Sequence, residues 1–203
     1  MFNKGIFVIM TITEARKVIH EIFSLYDRFG GSDYIGEPVS QIEHMSQSAQ
    51  LAITAGEKDE VILASFFHDI GHLFVLSGED SSMNGFGTKN HEKIGADFLR
   101  SRGFPEQIAQ LVENHVHAKR YLTYKYPEYY FNLSDASKKT LEFQGGKMNH
   151  EEAIAFEKDQ LFLPSIKLRR WDELAKEINI PIVDISLLKT KAFNVLVTNT
   201  TVF

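Results

Sequence analysis

The sequence predicts a single all-α domain, and three observations carry that expectation. Apolar residues recur at helical spacing along most of the chain, while strand patterns are weak. The 203 residues are enough for one sizeable domain and short for two. No internal repeat or low-complexity linker divides them.

The elements follow in order. Thr11 and Glu14 form a capping-box pattern, and Ala15, Val18, Ile19, Ile22, Phe23 and Tyr26 continue one apolar face until Gly30-Gly31 stops it. After the loop "SDYIGEPVS", a second helix is expected from Ser40 to Ala55, largely buried given Ile42, Ala49, Leu51 and Ala52. A third runs from Lys58 to Asp69 through the apolar residues Val61, Ile62, Leu63, Phe66 and Phe67. The stretch "GHLFVLSGEDSSMNGFGTKN" reads as a long loop, of the kind that walls or covers a site. Helices are then expected over His91–Arg102 and over Pro105–Tyr124, where Pro105 suits a first turn. Further helices are expected over Ser134–Gln144, His150–Lys158, Ser165–Ile178 and Val183–Val195. The aromatic run "YLTYKYPEYYFNL" between them reads as pocket wall or packing, with a dimer surface as the alternative.

Composition narrows the partners. Hydrophobic content of 43% with 24% charged residues fits a soluble globular chain. A net charge of −5 without any basic block argues against nucleic acid. Cysteine is absent, so any metal must be held by His, Asp, Glu or Tyr, and a cytoplasmic setting is expected. The apolar run near the N-terminus, about six residues, is short of a signal peptide's roughly 7–15 and of a membrane span's roughly 20. Met10 is an alternative start, which would make residues 1–9 an extension.

Chemistry concentrates on histidine and aspartate. Of the eight histidines, His44 lies in the second helix, His68 and Asp69 close the third, His91 opens the next, and His115 sits inside the one after. Asp172 follows in a late helix beside Trp171, which reads as a core anchor. Each alone has an ordinary reading as a satisfied core or surface side chain. Four histidines and two aspartates on successive helices make the pattern by which helical bundles build metal sites. His20, His117 and His150 read as structural or surface residues. His72 follows His68 by four, but it lacks the glutamate and the regular helix of a zinc-protease motif.

The order His44, His68-Asp69, Asp172 resembles the HD-domain superfamily, named for its adjacent His-Asp pair. That likeness implies a helical bundle with a metal site in its core. It assigns His44, His68, Asp69 and Asp172 to one metal, and Asp69, His91 and His115 to a second. Neighbouring helical residues diverge by about 100°, so at a helix end the aspartate reaches a second ion while the histidine serves the first. The segment "YIGEPVSQIEH" with "HDIGH" resembles the small mixed-valence di-iron oxygenases of this superfamily, over most of the chain from Tyr34 to Asp172. The resemblance implies an iron pair, Fe(II)/Fe(III), with O2 as co-substrate. It implies cleavage of the C–P bond of 2-amino-1-hydroxyethylphosphonate, giving glycine and phosphate. Tyr34 would hold an open iron position until substrate arrives, and Glu37 would meet the substrate ammonium, with Gly36 as a hinge. The ordinary readings are an aromatic cover for Tyr34 and an exposed loop carboxylate for Glu37.

Spacing points to phosphonate donors. Lys119 follows His115 by four and Arg169 precedes Asp172 by three, each on its ligand's helix face, and His72 follows His68 by four, so three ligand-bearing segments each carry a donor. Ser137 and Thr140 lie near a helix start that Ser134 can cap, where hydroxyls and free amides suit an oxyanion. The resemblance supports this role for His72, Lys119, Ser137, Thr140 and Arg169; solvated charges and helix-surface hydroxyls are the alternatives. The expected partner is a small-molecule aminophosphonate, taken by a monomer or weak homo-oligomer, with no nucleic acid or membrane. Competing readings are a metal-dependent HD phosphohydrolase acting on a nucleotide or phosphate monoester, a non-catalytic HD-derived module, and an inositol-oxygenase-like enzyme.

Overall fold

A computed structural model describes residues 10–34, 36–75 and 89–198. The expectations for residues 1–9, for Ile35 and for residues 76–88 of the long loop lie outside that range. Eleven helices are found among the described residues.

Helix α1 (Ile12–Phe29) starts on the expected capping box, with Glu14 N–H donating to Thr11 Oγ1 at 3.2 Å and Thr11 N–H to the Glu14 carboxylate at 2.7 Å. Helix α2 (Gln41–Thr54) starts on a second box, formed by Ser40 and Glu43. Between them, residues 32–41 close on themselves: Tyr34 N–H donates to Val39 C=O, Glu37 N–H to Tyr34 C=O and Gln41 N–H to Ser32 C=O. Gly36, at φ 82°, is the third residue of this turn, where only glycine adopts a positive φ without strain.

Helix α3 (Asp59–Phe67) stops two residues earlier than expected, and α4 (Ile70–Val75) follows at once. His68 and Asp69 occupy the break, where adjacent side chains can turn apart. The expectation that residues 71–75 are loop is corrected. Leu73 is fully buried and Phe74 packs edge-on against Phe98 at 4.4 Å, so packing holds a helix too short to stand alone. A Cβ on Gly71 would lie 2.0 Å from the carbonyl oxygen of His91, so only glycine lets α4 meet the next helix this closely.

Helices α5 (His91–Ser101) and α6 (Glu106–Lys125) pack on each other. A further unpredicted helix, α7 (Pro127–Asn132), is started by Pro127 and anchored by buried Tyr129. Helices α8 (Asp135–Phe143) and α9 (His150–Glu157) begin on Ser134 and Asn149 caps. Helix α10 (Phe162–Leu174) starts three residues before the expected position. Pro164 lies in its first turn, where a missing N–H costs nothing. It also ends earlier, at Leu174, and α11 (Ile185–Thr198) is the last helix among the described residues.

One apolar core is built by α1 to α6, α10 and α11 around Phe23, Phe66, Phe67 and Leu63. A smaller one joins α6 to α7 and α9 through Tyr121, Tyr129 and Phe156. Trp171 is half-buried at the edge of the first. No helix among the described residues is long and apolar enough to cross a membrane.

Candidate metal centre

Five elements converge on one point: α2 packs on α3 and α10, and α6 packs on α3, α5 and α10. His44, His68, Asp69, His91, His115 and Asp172 meet there, each at most 4% exposed. The two oxygens of Asp69 face opposite ways. Oδ2 lies 3.6 Å from His44 Nε2 and 3.4 Å from His68 Nε2. Oδ1 lies 3.2 Å from His91 Nε2 and 3.5 Å from His115 Nε2. Asp172 Oδ1 joins the first pair, 3.4 Å from His44 Nε2.

The ring tautomers show what this cluster demands. His44 Nδ1 donates to Ala175 C=O (2.9 Å), His68 Nδ1 to Ser65 C=O (2.8 Å) and His115 Nδ1 to Val112 C=O (2.6 Å). A carbonyl only accepts, so in each neutral ring Nδ1 carries the proton and Nε2 presents a lone pair. Yet His44 Nε2 faces His68 Nε2 at 3.0 Å, and His91 Nε2 faces His115 Nε2 at 3.1 Å. His44 and His68 both present lone pairs at that distance, which calls for a positive charge beside them. Two donors about 2.1 Å from one cation and at right angles to each other stand about 3.0 Å apart, so these spacings fit metal ligation. His44, His68 and Asp172 form one group placed to hold a metal ion; Asp69, His72 and His91 form another. His72 stacks on His91 at 4.0 Å, with Nε2 3.9 Å from Asp69 Oδ1, so it is a neighbour of the second site beside His115.

Without metal, the same demand appears as displaced protonation. Burial opposes charge on His68, but Asp69 and Asp172 raise it to about 9. Burial and the surrounding imidazoles push His72 down to about 3, and His115 falls well below its ordinary value chiefly through burial. Burial opposes ionisation of Asp69 and Asp172. Neighbouring His68, and for Asp172 chiefly Arg169, nevertheless hold both well below the usual carboxylate range.

A cavity opens onto the cluster. Among its lining residues are Tyr34, Glu37, His72, Lys119, Ser137, Thr140 and Arg169, together with Asp69, His91, His115 and Asp172. Every candidate singled out in the sequence therefore lies in or directly beneath one site, while His20, His117 and His150 stand apart. His117 bonds Asn114, and His150 bonds the Tyr124 hydroxyl. The Tyr34 ring stacks on His44 at 3.9 Å, and its phenol is held well above its ordinary value by burial, by Asp69 and Asp172, and by its hydrogen bond to Asp69. Lys119 Nζ donates to Thr140 Oγ1 at 2.7 Å and Gln144 Oε1 at 3.0 Å. Burial, and then Arg169, depress it well below the usual lysine value.

Some partners escape a reading by spacing. Arg169 spends donors on the protein: Nη1 on Asp172, and Nε on the Tyr129 hydroxyl (2.9 Å) and Glu173 (3.2 Å). Its Nη2 is buried, paired with Glu173 Oε1 at 3.1 Å but without hydrogen-bond geometry. Glu37 Oε1 already accepts from Ser134 Oγ at 2.6 Å and Lys176 Nζ at 2.5 Å. Lys176 lies beyond the end of α10 at Leu174, so no helical spacing marks it. Gln41 and Gln144 also line the cavity, and no sequence pattern marks them.

Comparison with known proteins agrees with this arrangement. Residues 42–177 match the HD domain family. The chain is 49% identical over 158 residues to Uncharacterized protein L432 of Acanthamoeba polyphaga mimivirus, covering 78% of this chain and 72% of that one. It is 39% identical over 167 residues to the [1-hydroxy-2-(trimethylamino)ethyl]phosphonate dioxygenase (glycine-betaine-forming) of Leisingera caerulea, covering 82% and 84%. It is 35% identical over 175 residues to the hydroxymethylphosphonate dioxygenase of Gimesia maris, covering 85% of each. With its His-Asp pair set at the break between α3 and α4 and the match spanning the whole metal cluster, the chain belongs to the HD-domain family, in the group that includes these phosphonate dioxygenases.

Proposed function

We propose that this chain is an oxygenase that uses O2 to cleave the C–P bond of a 1-hydroxyphosphonate. The substrate expected from the sequence is 2-amino-1-hydroxyethylphosphonate. The observation that carries the reading is Asp69, which offers one oxygen to each of two histidine pairs while the Tyr34 phenol reaches the same carboxylate. One substrate and one O2 balance to glycine and phosphate, with no further reductant.

His44, His68 and Asp172 would hold one iron, His91 and His115 the other, and Asp69 both. A mixed-valence iron pair supplies Lewis acidity toward the substrate oxygens and one-electron chemistry toward dioxygen. The protein's part is placement. Three backbone carbonyls fix the histidine tautomers, and Arg169 fixes Asp172, so the donors are set before substrate arrives. Tyr34 covers the cluster and yields its place when the hydroxyl and phosphonate enter. Lys119, Ser137 and Thr140 offer donors to the phosphonate, with His72 and Arg169 beside them; a charged donor gives about twice the hydrogen-bond strength of a neutral one. Glu37 lies where the 2-amino group would be met. Burial of the cluster keeps water from a reactive oxygen species.

The test is anaerobic iron loading, then oxygen uptake with 2-amino-1-hydroxyethylphosphonate while phosphate and glycine are measured. Stoichiometric uptake and release are expected. Turnover of phosphate monoesters with manganese or magnesium, without oxygen uptake on the phosphonate, would replace this reading with a phosphohydrolase.

A further inference from the structure

The carboxylate on the cavity wall is already neutralised. Glu37 lines the cavity, whereas its two donors, Lys176 and Ser134, do not; both line a separate depression with Tyr126, Tyr129, Arg170 and Glu173. Lys176 thus grips Glu37 Oε1 from the side away from the metal ligands. The pair is largely withdrawn from water, with the Lys176 side chain 18% and the Glu37 side chain 10% exposed. Charges so placed are only partly screened. Lys176 lies two residues past the end of α10, on the strand of chain that also carries Asp172, so its position is tied to the metal site.

We propose that Lys176 is a specificity-determining residue that acts through Glu37, widening the accepted substrates to hydroxyphosphonates without a cationic group. The inference rests on the oxygenase reading above. A lone carboxylate at this depth would need the substrate's ammonium as its counter-ion, and a substrate without one would leave a half-buried charge unpaired. With Lys176 in place, Glu37 is paired whichever substrate enters. An ammonium gains less from the neutral pair than from a bare carboxylate, and a neutral group loses less.

The experiment compares wild type, Lys176→Met and Lys176→Arg as full-length iron-loaded chains. The substrates are 2-amino-1-hydroxyethylphosphonate and hydroxymethylphosphonate. Anaerobic titration calorimetry gives Kd for each, and oxygen uptake gives kcat/KM. Lys176→Met is expected to raise the preference for the amino substrate by about fivefold, as befits one partly screened charge contact. The shift should appear in Kd and in kcat/KM alike, and Lys176→Arg should restore the wild-type ratio. An unchanged Kd ratio in folded Lys176→Met overturns the proposal; if that variant does not fold, a Lys176→Arg ratio far from wild type does so. Binding without oxygen uptake in the wild type defeats the oxygenase reading alone, because the Kd ratios still report on Lys176. Binding of neither phosphonate defeats both.

Discussion

Gly71→Ala should empty one half of the centre while leaving the other. An added Cβ would sit 2.0 Å from the His91 carbonyl oxygen, 2.7 Å from its carbonyl carbon and 2.9 Å from its Cα, whereas real Cβ atoms essentially never come within 3.0 Å. The start of α5 must therefore retreat by at least the difference of 3.0 and 2.0 Å, that is 1.0 Å. The obstacle is backbone, so no side-chain rotation relieves it. His91 is the residue that moves, and its Nε2 stands 3.2 Å from Asp69 Oδ1 and 3.1 Å from His115 Nε2. Metal–ligand distances tolerate about 0.2 Å, a fraction of that displacement. Overpacking of this kind costs about 1–3 kcal/mol, which in a chain of this size lowers Tm by roughly 2–12 °C. The assay is iron content per folded chain after anaerobic loading, with thermal melts of the metal-free protein. Iron should fall from two per chain toward one, held by His44, His68 and Asp172. Gly31→Ala, where a Cβ meets nothing within 4 Å, is the control and should change neither quantity. Two irons retained in Gly71→Ala, with Tm unmoved, would refute the close-approach argument and the placement of the second metal.

Three further outcomes are expected. Tyr34→Phe should abolish any visible iron–phenolate absorption band of the loaded protein; an unchanged band would remove Tyr34 from the metal's surroundings. Lys119 is depressed well below 10.5, so the penalty for burying its charge is full below the folded value and fades as pH rises toward 10.5. Lys119→Met should therefore raise Tm most on the acid side of that window while weakening phosphonate binding; a gain in Tm equal at every pH would contradict this. Arg169→Met leaves buried Asp172 without its counter-charge, and loss of one partner of such a pair costs about 3–5 kcal/mol; urea denaturation of the metal-free chain should read that loss, and a value below about 1 kcal/mol would show that the pair does not hold Asp172.

Much of the site was legible because its physics is local. An apolar run ending in His68-Asp69 marks a place where titratable groups enter a core, and the capping patterns at Thr11 and Ser40 fix the starts of α1 and α2. Helical spacing puts Lys119 and Arg169 on the faces of His115 and Asp172, as found. Spacing does not say whom a donor bonds: Arg169 turns to Asp172, Tyr129 and Glu173, and Lys176 reaches Glu37 across 139 residues of sequence. Helices α4 and α7 were missed because six residues carry little intrinsic helicity and are held by Leu73, Phe74 and Tyr129 packing on their neighbours. Helix α10 starts three residues before the expected Ser165, with Pro164 harmless in its first turn.

The early termination of α10 has a wider consequence. Because the helix ends at Leu174, the Ala175 carbonyl is free to accept the hydrogen bond from His44 Nδ1, two residues after the Glu173 that Arg169 holds and one before the lysine that answers Glu37. Extending that helix by more than a turn, to residue 179, would return the carbonyl to the backbone ladder and re-aim the lysine. Ligand tautomer and substrate choice would then change together, so a designer who grafts this segment onto a related bundle should find the two traits inherited as one.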